Sequence, residues 1–267
     1  MIGTDPLDLR GQIAFVSGAG QGAGREIALT LAKHNAGGII VNDFELLRAE
    51  SVVEEIRQLG IPAQAAAADV GDYDALKLAY DKTTKILGNV TVLVNNAGNA
   101  GPQISMRPSP LFWETEPADW DRYFHTNLKG VMNCCHLALP AMVAAKRGRI
   151  VTVVSDAGRV GEARLTVYAA AKAGAAGFMR SIAKESGRYK ITANCISLST
   201  LEPQMEEAAL REFLASDRAK THVERYAIRR FGKNQDVANM ALFLCSDAAE
   251  WITGQTYPVN GGYSFAQ

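Results

Sequence analysis

Tyr168 and Lys172 lie four residues apart in VYAAAKAGAAGF, a segment of small residues with helical spacing. This spacing puts the phenol and the ammonium on one face of a helix. A phenol titrates near pH ~10, so acid–base use near neutrality requires a pKa shift of about three units, or roughly 4 kcal/mol. A lysine cation nearby favours the phenolate and acts in the required direction. Taken alone, however, the pair is more typical of an ordinary surface contact.

A second candidate is the stretch SGAGQGAG, which follows an apolar run and precedes a helical pattern. Gly18, Gly20 and Ala23 fit the pattern G-x-G-x-x-G/A. Gly18 also fits the pattern G-x-x-x-G-x-G, together with Gly22 and Gly24. Either pattern lets the backbone approach a pyrophosphate at a helix N-terminus, where N–H groups are unpaired. Alone, the motif is weak, because glycine-rich turns also occur for steric reasons.

Asp43 ends the next predicted strand, and its position suits an acidic partner of the glycine segment. A carboxylate there can accept hydrogen bonds from the hydroxyls of an adenosine ribose and repels a 2′-phosphate. Neither Gln21 nor Phe44 supplies a base for such a phosphate, so the sequence favours NAD over NADP. The alternative interpretation of Asp43 is a solvated carboxylate or a cap for the next helix.

These residues are distributed along a regular alternation of apolar runs and amphipathic stretches. Strands are predicted at 12–17, 37–44, 63–70, 90–98, 149–158, 191–197 and 255–262. Helices are predicted at 23–35, 45–59, 72–87, 118–145, 166–187 and 235–247. Such alternation favours βαβ crossovers and a parallel sheet. We therefore predict one α/β domain over 1–267, a doubly wound Rossmann fold with about seven parallel strands and helices on both faces. Segments 99–117 and 198–231 are predicted substrate loops.

Composition excludes several classes of function. The 28 basic residues equal the 28 acidic ones, which leaves no net field for nucleic acid or an anionic membrane. The polar N-terminus lacks a signal peptide, and no apolar run approaches the ~18 residues of a membrane span, so we expect a soluble cytoplasmic protein. Cysteines 134, 135, 195 and 245 have no C-x-x-C spacing, so no metal site is predicted.

Further motifs appear around the tyrosine in a familiar order. Ser155 precedes Tyr168 by thirteen residues and ends a predicted strand. This arrangement resembles the Ser…Tyr-x-x-x-Lys pattern of the short-chain dehydrogenase/reductase family. The turn N-N-A-G at 95–98, the pair D-V at 69–70 and the segment HTNLKGV are also similar to family motifs. The resemblance runs from Leu9 to about Tyr263, and it selects Gly18, Gly22 and Gly24 as the family's glycines, leaving Gly20 as an additional small residue in the turn.

The resemblance implies a role for each motif. Tyr168 would exchange a proton with the substrate oxygen, and Ser155 would hydrogen-bond that oxygen. Lys172 would lower the pKa of Tyr168 and bind the nicotinamide ribose, and Asn127 would hold a water of a proton relay. Asp69 and the Val70 backbone would contact adenine. The implied catalytic residues are Asn127, Ser155, Tyr168 and Lys172; the implied cofactor-binding residues are Gly18, Gln21, Gly22, Ala23, Gly24, Asp43, Asp69, Val70, Asn96, Ala97, Gly98, Tyr168, Lys172 and Leu201.

The expected function is hydride transfer between NAD and a secondary alcohol or ketone. The expected substrate is bulky and apolar: an alicyclic alcohol, a steroid-like ring or a 3-hydroxyacyl thioester. The alternative is a non-catalytic, nucleotide-binding relative with a scaffold or regulatory role. By analogy we expect a homo-oligomer, a tetramer assembled through the helices near 127–145 and 166–187.

Two segments depart from the family pattern. Leu198 and Ser199 replace a Pro-Gly pair after the sixth strand, and Pro203 replaces a threonine that contacts the nicotinamide carboxamide. Thr200 is a candidate substitute, and the Leu201 backbone could still reach that group. The additional stretch NAGPQISMRPSPLFWET carries a methionine and two aromatic residues that could either pack under a loop or line an apolar substrate pocket.

Overall fold

The computed structural model describes residues 5–98 and 110–265, which are organised around one parallel sheet of seven strands. Its strands are β1 Ile13–Val16, β2 Gly38–Asp43, β3 Ala63–Ala67, β4 Val90–Asn95, β5 Gly148–Ser155, β6 Ile191–Leu198 and β7 Thr256–Val259. Their order in the sheet is β3-β2-β1-β4-β5-β6-β7. The chain therefore reverses its direction of winding between β1 and β4, where such sheets open a crevice at the carboxyl ends of the strands.

Helices cover both faces of this sheet. They are α1 Gly22–Lys33, α2 Leu46–Gln58, α3 Tyr73–Leu87, α4 Asp121–Phe124, α5 Gly130–Ala145, α6 Ala157–Val160, α7 Thr166–Ser186, α8 Glu207–Ala215, α9 Asp217–Val223 and α10 Asn234–Cys245. One face packs against α1, α2 and α10, and the other packs against α3, α5 and α7. Along β1, Ala14 and Val16 enter the first core and Phe15 the second, as the period of two in a strand requires. The predicted doubly wound α/β fold is confirmed.

The helix predicted at 118–145 is interrupted. A π-helical turn, His125–Lys129, separates α4 from α5. The Nδ2 of Asn127 donates a hydrogen bond to the carbonyl oxygen of Tyr123 at 2.8 Å, inside this turn. Such turns are uncommon and often occur at functional sites, and the apolar spacing of the segment gives no sign of it.

The segment predicted as a loop at 198–231 is partly helical, which corrects the sequence-based expectation. It contains α8 and α9, and the hydroxyl of Ser216 accepts a hydrogen bond from the N–H of Ala219 at the start of α9. Of the other predicted loop, residues 99–109, which include Met106, lie outside the described residues. Phe112 and Trp113 in its second half are exposed.

Within the described ranges, residues 117–145 form one helical stretch that is long and apolar enough to cross a membrane by length and composition alone. The expectation that no apolar run approaches this length is therefore corrected. Cys134, Cys135 and Met142 of this stretch are buried in the core between α5 and the sheet. Packing against the sheet accounts for the apolar character of these buried positions.

An ion-pair cluster joins α10 to the amino end of β5. Asp247 lies 3.1 Å from Arg10, 3.2 Å from Arg147 and 3.0 Å from Arg149. The Arg149 side chain is only 6% exposed, and its burial lowers the pKa of the guanidinium while Asp247 raises it. Removing the acidic partner from a buried arginine leaves an uncompensated charge. This cluster lies about 20 Å from Ser155, at ~3.3 Å per residue along β5.

We expect Asp247→Asn to lower the free energy of unfolding by about 1–3 kcal/mol, because Arg149 loses its charged partner. Urea unfolding followed by circular dichroism measures this change. The effect should be absent in Asp217→Asn, whose carboxylate is fully exposed. Equal stability of Asp247→Asn and the wild type would show that the cluster does not stabilise the fold.

Candidate active site

A cavity of about 560 Å³ opens at the carboxyl ends of β1, β2 and β4. Its volume is within the range of small-molecule sites. The residues lining it are Gly18, Gln21, Gly22, Asn42, Asp43, Phe44, Ala68, Asp69, Val70, Asn96, Ala97, Gly98, Thr126 and Gln204. Most of the residues predicted to bind the cofactor are in this set. The exceptions are Ala23, Gly24, Tyr168, Lys172 and Leu201.

The turns after β1 and β4 are joined by side-chain hydrogen bonds at the floor of this cavity. The hydroxyl of Ser17 accepts hydrogen bonds from the N–H groups of Asn96 at 3.0 Å and Ala97 at 3.1 Å. The amide of Asn96 donates to the carbonyl oxygens of Ser17 at 3.1 Å and Gly18 at 3.0 Å. Ser17 is 2% exposed, so this junction is screened from water. It holds the glycine turn and the N-N-A-G turn in one rigid unit.

Three glycines permit this close approach. Gly18 and Gly22 have φ values of +59° and +58°, which favour residues without a Cβ. A Cβ on Gly18 would lie 2.8 Å from the Cα of Ala97, and one on Gly24 would overlap the carbonyl oxygen of Gly18. Helix α1 begins at Gly22, so its first N–H groups face the cavity end of the turn. This concave, donor-rich turn fits a dinucleotide pyrophosphate.

Asp43 is held at the other end of the cavity by two backbone donors. Its Oδ2 accepts a hydrogen bond from the N–H of Gly20 at 3.0 Å, and its Oδ1 accepts one from the N–H of Glu45 at 3.1 Å. A Cβ on Gly20 would lie 2.6 Å from Oδ2 and 2.7 Å from the Cβ of Arg48. Gly20 is therefore more than an additional small residue, since only glycine leaves room for Asp43. The Arg48 guanidinium lies 5.5 Å from the ring centroid of Phe44, which is 67% exposed.

The predicted adenine contacts lie on the opposite wall. The Oδ1 of Asp69 accepts the N–H of Gly71 at 2.8 Å, and its Oδ2 lies 3.2 Å from Nε2 of His125. Val70 is buried, and its carbonyl oxygen accepts a hydrogen bond from Asn133. The Oδ1 of buried Asn42, which lines the cavity, has no hydrogen-bond partner among the described residues. An unpaired acceptor at this position fits a polar ligand in the cavity.

The catalytic candidates meet at the carboxyl end of β5. Ser155 is the last residue of β5, and its hydroxyl accepts a hydrogen bond from the N–H of Ala157 at 3.2 Å. The hydroxyl of Ser155 also lies near enough to the phenol of Tyr168 in α7 to lower the pKa of that tyrosine. The sheet thus brings together two side chains that the sequence separates by thirteen positions. A hydroxyl pair of this kind can bind one carbonyl or alcohol oxygen between them.

Lys172 lies beneath this pair and is buried. Its Nζ donates a hydrogen bond to the carbonyl oxygen of Val153 at 2.9 Å and lies 5.9 Å from the centroid of the Tyr168 ring. Burial lowers the pKa of Lys172 to about 8. A Cβ on Gly98 would lie 3.2 Å from Nζ of Lys172 and 3.2 Å from Oδ1 of Asn127. Gly98 thus leaves room for both polar groups beside the N-N-A-G turn.

The pKa of Tyr168 lies above its ordinary value in this structure, opposite to the expected direction. Burial is the largest cause, because it penalises the phenolate, and the hydrogen bond from Ser155 partly offsets it. Lys172 is not among the causes, since its ammonium is turned to Val153. The described side chains alone therefore do not prepare Tyr168 as a base near neutrality.

A tyrosine stabilises the loop that lacks the Pro-Gly pair. The hydroxyl of Tyr226, a buried residue, lies 2.6 Å from Oγ of Ser199 and accepts a hydrogen bond from the N–H of Thr200 at 3.2 Å. His222 lies 3.1 Å from Oγ1 of Thr200. Neither Tyr226 nor His222 was found from the sequence, because no local motif links them to a loop more than twenty residues earlier.

Leu201 and Gln204 occupy different positions in this loop. Leu201 forms an isolated parallel bridge with Gly232, and its side chain packs against the core. Gln204 instead reaches across the cavity, and its amide lies over Gly22, where a Cβ would overlap it. Sequence reasoning missed Gln204, which the tertiary fold brings next to the glycine turn.

Comparisons with known proteins agree with this geometry. The model of a family described as enoyl-(acyl carrier protein) reductase matches residues 18–264. The 3-oxoacyl-(acyl-carrier-protein) reductase FabG of Staphylococcus aureus is 36% identical over 249 residues, 93% of this chain and 96% of that protein. The 7alpha-hydroxysteroid dehydrogenase of Escherichia coli is 35% identical over 262 residues, 98% of each chain.

Solved structures are also similar to this chain over nearly its whole length. A 7α-hydroxysteroid dehydrogenase in complex with NADH and 7-oxo glycochenodeoxycholic acid superposes with a TM-score of 0.86 at 35% identity, covering 98% of both chains. A gluconate 5-dehydrogenase from Burkholderia cenocepacia, in complex with NADP and tartrate, superposes with a TM-score of 0.85 at 28% identity, covering 98% of this chain and 99% of that one.

The buried Lys172 predicts a pH-dependent stability. The pKa of Lys172 in the folded protein is about 8, below its ordinary value of 10.5. The buried charge therefore lowers the free energy of unfolding below pH 8, and this destabilisation disappears as the pH rises from 8 to 10.5. In Lys172→Met the charge is gone. We expect this variant's stability relative to the wild type to fall by about 2 kcal/mol between pH 7 and pH 10.

Denaturant unfolding of both proteins at the two pH values measures this change. Lys184→Met, which removes an exposed lysine from the same helix, is the matched control and should show no comparable change. A stability difference between Lys172→Met and the wild type that does not vary with pH would contradict the lowered pKa of Lys172.

Proposed function

The chain belongs to the short-chain dehydrogenase/reductase family and is an oxidoreductase, and we propose that it transfers hydride between NAD and a bulky, apolar secondary alcohol or its ketone. The neighbouring side chains of Ser155 and Tyr168, with buried Lys172 on the same helix as Tyr168, carry this proposal. A protein that only bound nucleotide would have no use for this buried polar group at the end of the cofactor cleft.

Tyr168 and Ser155 share the substrate oxygen in the proposed mechanism. In reduction, the Tyr168 hydroxyl donates its proton to the carbonyl oxygen while the Ser155 hydroxyl hydrogen-bonds that oxygen. In oxidation, Tyr168 accepts the proton of the alcohol. When bound, the nicotinamide supplies the hydride chemistry. The N–H of Ala157 orients Ser155 for this task, because it binds the serine oxygen and leaves the hydroxyl hydrogen available.

Lys172 and Asn127 would supply and remove the proton. The pKa of Lys172, lowered to about 8 by burial, lies close to the range in which a proton carrier works near neutrality. Asn127 is fully buried, and its Oδ1 faces the same point beside Gly98 as Nζ of Lys172. We propose that these two groups hold a water that links Tyr168 to solvent, and that Lys172 also binds the nicotinamide ribose.

The cofactor is proposed to be NAD. Asp43 is 4% exposed, and the N–H groups of Gly20 and Glu45 hold its carboxylate in place at the proposed adenosine end. A fixed carboxylate can accept hydrogen bonds from ribose hydroxyls and repels a 2′-phosphate. Relatives of this fold are known with either cofactor, NADH in one and NADP in another, so the local charge at Asp43 decides the proposal.

An apolar substrate is favoured by exposed and half-buried apolar side chains on α6 and α8. Helix α6 follows Ser155 directly and leaves Val160 53% exposed. Helix α8 carries Leu210, Phe213 and Leu214, and none of its residues is buried. The similar enzymes of S. aureus and E. coli are named for a 3-oxoacyl chain and a hydroxysteroid. A screen of NAD reduction with cyclic alcohols, steroids and 3-hydroxyacyl thioesters tests the substrate class.

Assembly and location are also proposals. A groove between α5 and α7 is lined by Leu139, Val143 and Ile182, on the helices expected to form a homotetramer. Light scattering after size-exclusion chromatography distinguishes a tetramer from a monomer. We propose a cytoplasmic location, which is favoured by four cysteines that are free and buried.

Tyr168→Phe should reduce turnover by ~10²–10⁴-fold, because the proton donor is lost while the ring is kept. The affinity for NADH, measured by fluorescence, should change little. Tyr80→Phe is the matched control, since Tyr80 is buried and its hydroxyl has no partner among the described residues. Full activity of Tyr168→Phe would refute the mechanism, and absence of any turnover in the wild type would favour the non-catalytic alternative.

Asp43→Ala should reduce or reverse the preference for NAD(H) over NADP(H), by ~10-fold or more, because the repelling carboxylate is removed. Gly20→Ala should weaken NAD(H) binding with Asp43 still present, since the added Cβ would lie 2.6 Å from the carboxylate. Gly187→Ala is the control, as a Cβ there meets no atom within 4 Å. Titration of each protein with both cofactors is the measurement, and a native preference for NADP(H) would overturn the assignment.

A further inference from the structure

Asp156 is a buried carboxylate that the proposed mechanism does not use. It directly follows Ser155 in the chain and is 2% exposed. A buried charge is retained only where its surroundings compensate for the lost hydration. Four side-chain donors do so here, two on each carboxylate oxygen.

The donors come from three separate parts of the fold. The Oδ1 of Asp156 accepts hydrogen bonds from Ser197 of β6 at 2.7 Å and from Arg159 of α6 at 2.9 Å. Its Oδ2 accepts hydrogen bonds from Asn260 at 2.6 Å and from Ser264 at 3.0 Å. The last two belong to the segment that follows β7, here called the C-terminal segment, residues 260–265.

Arg159 and Asn260 strengthen the connection to the C-terminal segment. The guanidinium of Arg159 also donates to the hydroxyl of Ser264 at 3.2 Å and to the carbonyl oxygen of Phe265 at 3.1 Å. The Nδ2 of Asn260 donates to the carbonyl oxygen of Ser264 at 2.9 Å. The arginine and the C-terminal segment are therefore both oriented around the carboxylate of Asp156.

A second contact ties the C-terminal segment to the other side of the active-site loop. The hydroxyl of Tyr263 donates a hydrogen bond to Glu162 at 2.5 Å, and Arg225 pairs with both of these residues. Glu162 lies in the connection between Ser155 and Tyr168. The C-terminal segment thus holds this connection at its start, through Asp156, and near its middle, through Glu162.

The turn after β5 relates Asp156 to the serine hydroxyl. The N–H of Asp156 donates to the carbonyl oxygen of Leu198 at 2.8 Å, and the N–H of Ala157 donates to Oγ of Ser155 at 3.2 Å. Asp156 is the corner of this turn. Any shift of its side chain would move the donor that orients Ser155.

We propose that Asp156 is a positioning residue, through which the C-terminal segment fixes the turn that carries Ser155 and keeps its hydroxyl beside the phenol of Tyr168. The expected loss of activity rests on the proposed function. The expected displacement of Ser155 does not, because it occurs in the protein without substrate or cofactor.

The central test is Asp156→Asn, which keeps the volume but removes the charge that compensates Arg159. We expect kcat to fall by ~10- to 100-fold, the cost of a misplaced catalytic group, with the KM for NADH changed less than about twofold. Tyr168 has Ser155 of β5 and Lys172 of its own helix as polar neighbours. Only the bond to Ser155 should weaken, so the pKa of Tyr168 should rise and the acid limb of the oxidation pH profile should move to higher pH.

Two further comparisons separate positioning from general stability. Asp247→Asn breaks the ion-pair cluster at the opposite end of β5 and should leave kcat and the pH profile unchanged. Ser264→Ala removes one donor to Asp156 from the C-terminal segment and keeps the charge. In Ser264→Ala we expect a smaller fall in kcat and a smaller rise in the pKa of Tyr168. This variant provides the test if Asp156→Asn fails to fold.

A spectroscopic titration of Tyr168 requires no turnover, so it tests the role of Asp156 even if the proposed function is wrong. The ionisation of Tyr168 is followed by the ultraviolet absorbance of tyrosinate, as the difference between each protein and its Tyr168→Phe variant. If Asp156 positions Ser155, this titration moves to higher pH in Asp156→Asn even when no substrate is turned over. An unchanged titration and an unchanged kcat, or an equal loss of kcat in Asp247→Asn, would overturn the inference.

Discussion

The junction between the turns after β1 and β4 is the contact on which the site depends. Buried Ser17 and the amide of Asn96 cross-link the two turns through four hydrogen bonds. The sheet reverses its winding at this point, so the junction forms the floor of the cavity. The same turn continues to Gly98, which lies beside Asn127 and Lys172. The cavity and the candidate catalytic residues are therefore adjacent along one continuous turn.

Beyond this junction, the catalytic end is built from polar groups that burial would otherwise disfavour. Lys172 donates a hydrogen bond to the carbonyl oxygen of Val153, and burial lowers its pKa to about 8. Asp156 is surrounded by four donors and is fully compensated. Under the proposed function the contrast has a physical meaning, since the proposed proton carrier has few compensating partners, whereas the proposed positioning residue is surrounded by hydrogen-bond donors.

The loop after β6 shows that different residues can hold the same backbone position. A Pro-Gly pair would restrict this loop through its own dihedral angles. Here Ser199 and Thr200 are held from outside by the hydroxyl of Tyr226. The loop is therefore held by a tertiary contact and not by its own dihedral restrictions, and the loop sequence alone does not indicate this contact.

The sequence alone determined the strands, the main helices, the sheet class and the spacing of the glycines, since these follow from periodicity and from turns within a few residues. The contacts of Gly20 with Asp43 and of Asp156 with the C-terminal segment join residues 23 to 108 positions apart. No local pattern encodes such contacts. The direction of the Tyr168 pKa also depended on the tertiary structure, because spacing shows that a lysine is near but not which way its ammonium points. Burial, which only the folded chain defines, decided the sign.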